Sequence, residues 1–149
     1  MPGSLFDTNV WIAAVFPTHA FHQQARQALN EATPSRPAVF CRSTHQSFLR
    51  LVSTPALLST YGAEAMTNGD ALVVLEALLA LPQVCERQEQ EGVVAFWHRL
   101  ASRDTASPKV WMDSYLAAFA ISGGLCLVTL DHDFKNYKSQ GLDFTLLNP

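Results

Sequence analysis

Val110-Trp111-Met112-Asp113-Ser114-Tyr115-Leu116-Ala117-Ala118-Phe119-Ala120-Ile121-Ser122-Gly123-Gly124-Leu125-Cys126-Leu127-Val128-Thr129-Leu130-Asp131 is the stretch that decides the fold. Leu116, Ala117 and Ala120 follow Asp113 at the spacing of one helix face, so residues 110–122 are predicted to be helical. Gly123-Gly124 ends that helix, because glycine accepts the left-handed cap. Residues 125–130 then form an unbroken apolar run, as expected of a strand covered on both faces.

The same alternation extends outward in both directions. Residues 4–7 read as a short strand. Residues 9–16 read as a helix that Pro17 stops, since proline cannot continue it. Residues 20–32 form a polar-faced helix with Phe21, Ala25, Ala28 and Leu29 on one side. After the turn 33–37 comes a second strand, 38–41, and a helix, 43–52, with Phe48, Leu51 and Val52 facing in. Asn68-Gly69-Asp70 precedes an apolar helix, 71–81, which Pro82 ends. A brief strand at Val84-Cys85 leads to a helix over 91–102, whose Val94, Trp97 and Leu100 recur at three-residue steps. A last strand spans 143–147. Short strands alternating with helices predict an α/β fold with a mainly parallel central sheet flanked by helices. With no repeat and no interdomain linker, residues 1–149 are expected to form a single domain.

Bulk composition narrows the class. A chain of 149 residues, 48% hydrophobic and 15% charged, is large enough to close a core without disulfides and too apolar to be disordered. Its net charge of −3 excludes bulk-charge coating by nucleic acid, so any RNA contact must come from local basic residues. Cys41, Cys85 and Cys126 sit in apolar strand-like runs and are expected to be free thiols in a reducing compartment. Met1-Pro2-Gly3-Ser4 has no signal-peptide pattern and no apolar run is membrane-length, so a cytoplasmic protein is expected.

Acids fall at telling places. Asp7 ends the first strand and Asp131 the strongest one, and open parallel sheets bind ligands outside the carboxyl ends of their strands. Either aspartate alone is as readily a turn or helix cap. Asp113 shares the apolar face of its helix, where a carboxylate is unfavourable unless paired or bound to metal. Only Lys109, four residues back, offers it a surface partner. Three such acids suit Mg²⁺ or Mn²⁺, hard ions that support phosphodiester hydrolysis. Thr8, Asn9 and Thr129 supply polar groups beside them.

Phe6-Asp7-Thr8-Asn9-Val10, Trp111 to Ala118 and Leu127-Val128-Thr129-Leu130-Asp131-His132-Asp133-Phe134 together resemble PIN-domain ribonucleases, above all the VapC toxins of bacterial toxin–antitoxin pairs. The resemblance runs over nearly the whole chain. It implies a three-layer PIN-like fold and a Mg²⁺- or Mn²⁺-dependent endoribonuclease, a homodimer held inactive by a VapB-like antitoxin. It makes Asp7, Asp113 and Asp131 the catalytic, metal-holding acids, Asn9 and Thr129 their supports, and gives Asp133 an outer role. A basic side chain of the antitoxin would face the acids, with Trp11 and Phe21 as apolar residues that either receive it or belong to the core.

One position departs from the family. Its glutamate in the helix after the second strand is absent, and His45, Gln46 or Ser47 stands there instead. The alternative reading is therefore a PIN-like RNA- or protein-binding module with weak or no nuclease activity. A haloacid-dehalogenase-like enzyme is disfavoured because Asn9 stands where its second aspartate belongs, and no receiver-type acidic pair accompanies Asp7. For RNA, Arg50 and Lys135 are the candidate phosphate contacts, among basic residues that include Arg42, Arg99, Arg103, Lys109 and Lys138.

Overall fold

In the computed structural model, which describes residues 3–149, the apolar runs become five short parallel strands. The N-terminal reading falls partly on Met1 and Pro2, outside the described residues. β1 (Ser4–Phe6) leads to α1 (Thr8–Val15) and α2 (His22–Glu31), and β2 (Ala38–Phe40) to α3 (Arg42–Val52), α4 (Pro55–Thr60) and α5 (Asn68–Leu79). β3 (Val84–Glu86) is followed by α6 (Val93–Ala101) and α7 (Val110–Gly123). β4 (Cys126–Thr129), a 3₁₀ segment (His132–Gln140) and β5 (Phe144–Leu146) complete the chain.

The sheet order is β3-β2-β1-β4-β5, and Leu5 of β1 lies beside Val39 of β2 and Leu127 of β4. From β1 the chain first builds outward through β2 and β3, then returns to the other side with β4 and β5. The strand order therefore reverses between β1 and β4, the point where such sheets open a crevice at their carboxyl edge.

Alternation along each strand divides the core in two. Phe6 and Phe40 join Trp11, Phe48, Leu29 and Leu75 under α1, α2, α3 and α5. Leu5, Val39 and Leu127 join Leu116, Phe119, Phe134 and Tyr137 under α6, α7 and the 3₁₀ segment. Trp11 has no exposed surface and stacks on Phe40 with centroids 3.9 Å apart, so it belongs to the core and not to an antitoxin-binding surface, whereas Phe21 is partly exposed.

Two elements have no counterpart in the sequence reading. α4 is a six-residue helix opened by Pro55, too short to carry an apolar period. The 3₁₀ segment was likewise unread, since its buried Phe134 and Tyr137 recur at three residues, the 3₁₀ period, within a polar run. In α6 the expected inward-facing Val94 is 45% exposed, and Val93 and Ala101 are buried instead. The helix stop at Gly123-Gly124 stands, with Gly124 left-handed at φ 64°. Cys41, Cys85 and Cys126 are free thiols.

Candidate metal centre

The ends of β1 and β4 are tied together by side chains. Asp7 caps α1: its Oδ1 accepts from the Thr8 amide at 2.8 Å and its Oδ2 from the Thr129 hydroxyl at 2.7 Å. The same Thr129 oxygen accepts from the Asp131 amide at 3.0 Å, and Asp131 Oδ1 accepts from the Asp133 amide at 2.9 Å. Asp7 and Asp131 are thus helix caps as well as members of a continuous polar chain. Thr129, itself fully buried, holds the two strand ends in register.

Around this chain the carboxylates crowd. One oxygen each from Asp113, Asp131 and Asp133 lies within 4.8 Å of the others. Lys109 projects into the group, with Nζ 2.5 Å from Asp133, 3.1 Å from Asp131 and 3.7 Å from Asp113. The Lys109–Asp113 pair that their four-residue spacing offered as the alternative is present, and it is the longest of the three contacts. Asp113 does face the sheet side, with its side chain 16% exposed.

The electrostatics follow from this geometry. Burial pushes the Asp7 carboxyl up to about 6 against the bonds from Thr129 and Thr8, and the charges of Asp113 and Asp131 add to the rise. Burial also raises Asp113, opposed by Lys109 and reinforced by Asp131 and Asp133. Exposed Asp133 is lowered by its hydrogen bond from Lys109, and Lys109 is raised by Asp133 and Asp131. Among the described residues, Lys109 is the one ammonium bonded to Asp113, Asp131 and Asp133, so the carboxylates here outnumber it.

A divalent ion suits these donors. Clustered carboxylate oxygens are the ligands that hard cations take, and the surplus negative charge is what such an ion neutralises. Asn9 Oδ1, two residues beyond Asp7, is a buried acceptor with no hydrogen-bond partner. An outer water of a hydrated ion is the kind of donor it lacks.

The other candidates separate. Asp133 stands inside the cluster, closer to Asp113 and Asp131 than an outer role implied. In α3, Gln46 is exposed and Ser47 partly buried, while His45 Nδ1 meets Glu86 Oε1 at 2.5 Å. Glu86 ends β3 and also takes Arg42 at 3.3 Å. Sequence reading missed it, although the rule that singled out Asp7 and Asp131 as acids at strand ends applies equally to Val84-Cys85-Glu86. Lys135 is exposed in the 3₁₀ segment beside Asp133, and its charge helps lower that carboxyl. Arg50 is exposed in the last turn of α3, about 12 Å along the helix from Arg42.

Comparison with known proteins agrees with this architecture. The chain is 40% identical over 144 residues to Ribonuclease VapC41 of Mycobacterium tuberculosis, a match covering 96% of this chain and 97% of that protein. Its fold is similar to those in VapBC2 of Rickettsia felis bound to a promoter DNA fragment (TM-score 0.65, 13% identity, 96% and 97% of the two chains) and FitAcB of Neisseria gonorrhoeae (0.63, 18%, 96% of each). VapBC-1 of nontypeable Haemophilus influenzae is similar too (0.62, 16%, 98% of each). Residues 4–139 match the PIN domain model, and with the parallel sheet and its acid-lined switch point in place, the chain belongs to the PIN-domain family.

Proposed function

We propose that this chain, as one domain over residues 1–149, is an endoribonuclease dependent on Mg²⁺ or Mn²⁺ and serves as the toxin of a toxin–antitoxin pair. The observation that carries the reading is the cluster of Asp113, Asp131 and Asp133 at the β1–β4 switch point, with Asp7 close enough for the charges of Asp113 and Asp131 to raise it. Asp113, Asp131 and Asp133 offer adjacent carboxylate oxygens to the ion, and Asp7 contributes from the β1 side. When bound, such an ion activates a water and offsets charge on the departing oxygen. Thr129 aims Asp7 through the 2.7 Å bond and fixes Asp131 through its amide, so the two acids need little reorganisation. Lys109 and Lys135 place positive charge at the rim, where an RNA phosphate would approach.

The similarity to Ribonuclease VapC41 supports RNA as the substrate, and the similarity to toxin–antitoxin complexes supports a VapB-like antitoxin as the partner. A homodimer in the cytoplasm fits the family; among the described residues no helix is long and apolar enough to cross a membrane. The test is cleavage of total RNA with Mg²⁺ or Mn²⁺, by the wild type, Asp7→Asn and Asp113→Asn. Metal-dependent cutting lost in both variants is expected. Cutting that survives both, or needs no metal, contradicts the reading.

A second reading is a PIN-like module that binds RNA or protein without cutting. The observation favouring it is the lack of an acid in the first turns of α3, where His45 is engaged by Glu86. RNA binding without cleavage by the wild type in Mn²⁺ would select it.

A further inference from the structure

We propose that the cavity between the end of α6 and the start of α7 is a subsite for one unpaired base of single-stranded RNA, with the Trp111 indole as its stacking surface. The inference rests on the nuclease reading for its ligand and adds a site to it. The cavity, of about 440 Å³, is lined by His98, Ser102, Arg103, Thr105, Ser107 and Trp111 among others, and its volume falls within the ~300–1,000 Å³ typical of small-ligand pockets.

Trp111 is 52% exposed, an unusual state for the largest apolar side chain unless something covers it. It is nevertheless braced on one side. Trp97 Nε1 donates to the Trp111 carbonyl at 2.8 Å, and the Trp97 ring meets Trp111 edge-on, with centroids 6.2 Å apart and planes at 81°. Trp97 is braced in turn against Tyr115, edge-on at 5.3 Å, and the Tyr115 hydroxyl donates to Glu89 at 2.5 Å. An indole braced on one edge, with open space beside it, has less freedom to lose when a base stacks on it. Stacking on aromatic rings is how unpaired bases are held whatever their sequence.

The surroundings favour a polyanion as the occupant. His98 and Arg103 line the cavity and Arg99 stands in the same last turn of α6, against the single acid Asp104 in the connection that follows. Arg103 lines the cavity and also lies near enough to Tyr137 to draw its phenol down, against burial and Asp113, which push it up. The cavity thus borders the acidic centre. Trp111 leaves the first turn of α7 on the side of α6, and Asp113 leaves it toward the sheet, with Lys109 at the tip between them. A strand crossing that tip spans roughly 10 Å, the width of a helix, and so touches both the indole and the carboxylates.

The experiment measures binding of a fluorescently labelled twelve-nucleotide single-stranded RNA to the full chain in Ca²⁺, by anisotropy, with cleavage in Mn²⁺ as a second readout. Trp111→Ala is expected to weaken binding about 5- to 100-fold and to raise KM more than it lowers kcat, while Trp111→Phe, which keeps a ring, stays within about threefold. Arg103→Ala is expected to weaken binding and reduce its salt dependence by about one ion. Unchanged binding by Trp111→Ala overturns the subsite, as does a drop in its solution mass by light scattering, which would assign the surface to a second copy of the chain. RNA that binds through Trp111 without being cut by the wild type leaves the subsite standing and removes the nuclease reading. Cleavage that ignores Trp111 does the reverse.

Discussion

Two regions of the same sheet edge treat charge in opposite ways. Near the ends of β1 and β4, Asp113, Asp131 and Asp133 share one ammonium, Lys109, and Asp7 lies close enough for Asp113 and Asp131 to help push its carboxyl up, so the carboxylates outnumber the cation bonded to them. At the end of β3, Glu86 is gripped from both sides, by His45 on one oxygen and Arg42 on the other. Both groups consist of acids at or near strand ends with basic partners. The difference is stoichiometry. A carboxylate matched by its partners is a tether within the fold, whereas carboxylates in excess repel unless a cation joins them. The surplus at the strand-order switch is what a bound cation would offset.

The comparison breaks most sharply by neutralising one acid at each end. Asp113→Asn is expected to lower Mn²⁺-dependent RNA cleavage by about 100- to 1,000-fold or more, and Glu86→Gln to change it by less than about threefold. Equal losses in the two variants would erase the distinction between the ends. A steady-state cleavage assay on a short RNA reads both.

Acidity separates the regions next. Asp7 rises from 3.8 to about 6 on folding, so between those values the folded chain holds a proton that the unfolded chain has released. Without metal, stability should therefore fall as pH rises from about 4 to 6, by roughly 2–3 kcal/mol from this group, and stay low above 6. Asp7→Asn should flatten that slope and be the more stable protein at pH 7.5. Urea unfolding at pH 4.5 and 7.5 in the presence of a chelator checks the sign.

Lys109 sharpens the contrast on a smaller scale. Its ammonium holds the oxygens that a divalent ion would take, so Lys109→Ala should tighten Mn²⁺ binding by about tenfold in calorimetry. The smallest effect belongs to the balanced end. Glu86→Gln should lower stability by no more than about 1 kcal/mol, because its partners are partly exposed, with 65% of the Arg42 side chain in solvent.

Much of this was legible in the sequence because strong local signals carried it. The apolar run 125–130, the Gly123-Gly124 stop and the helical stripe of Leu116, Ala117 and Ala120 each have one favourable outcome, and the structure adopts it. Asp7 and Asp131 stand out in the sequence by their places at strand ends, and Asp113 by its place on an apolar stripe. What local signals could not give was partnership. Lys109 reaches across 22 and 24 residues to Asp131 and Asp133, and His45 reaches 41 residues to Glu86. Side-chain pairs at such separations leave no periodicity. Trp11 was ambiguous for a related reason: an aromatic on an early helix is core or surface according to whether Phe40, far along the chain, comes to cover it.

The most direct measurement is anomalous diffraction from crystals of the protein soaked in Mn²⁺. A peak bounded by carboxylates of Asp113, Asp131 and Asp133, with Asp7 on its β1 side and the Lys109 ammonium displaced, is the expected result. Crystals that bind no manganese there, with Lys109 still bridging Asp131 and Asp133, would contradict the account.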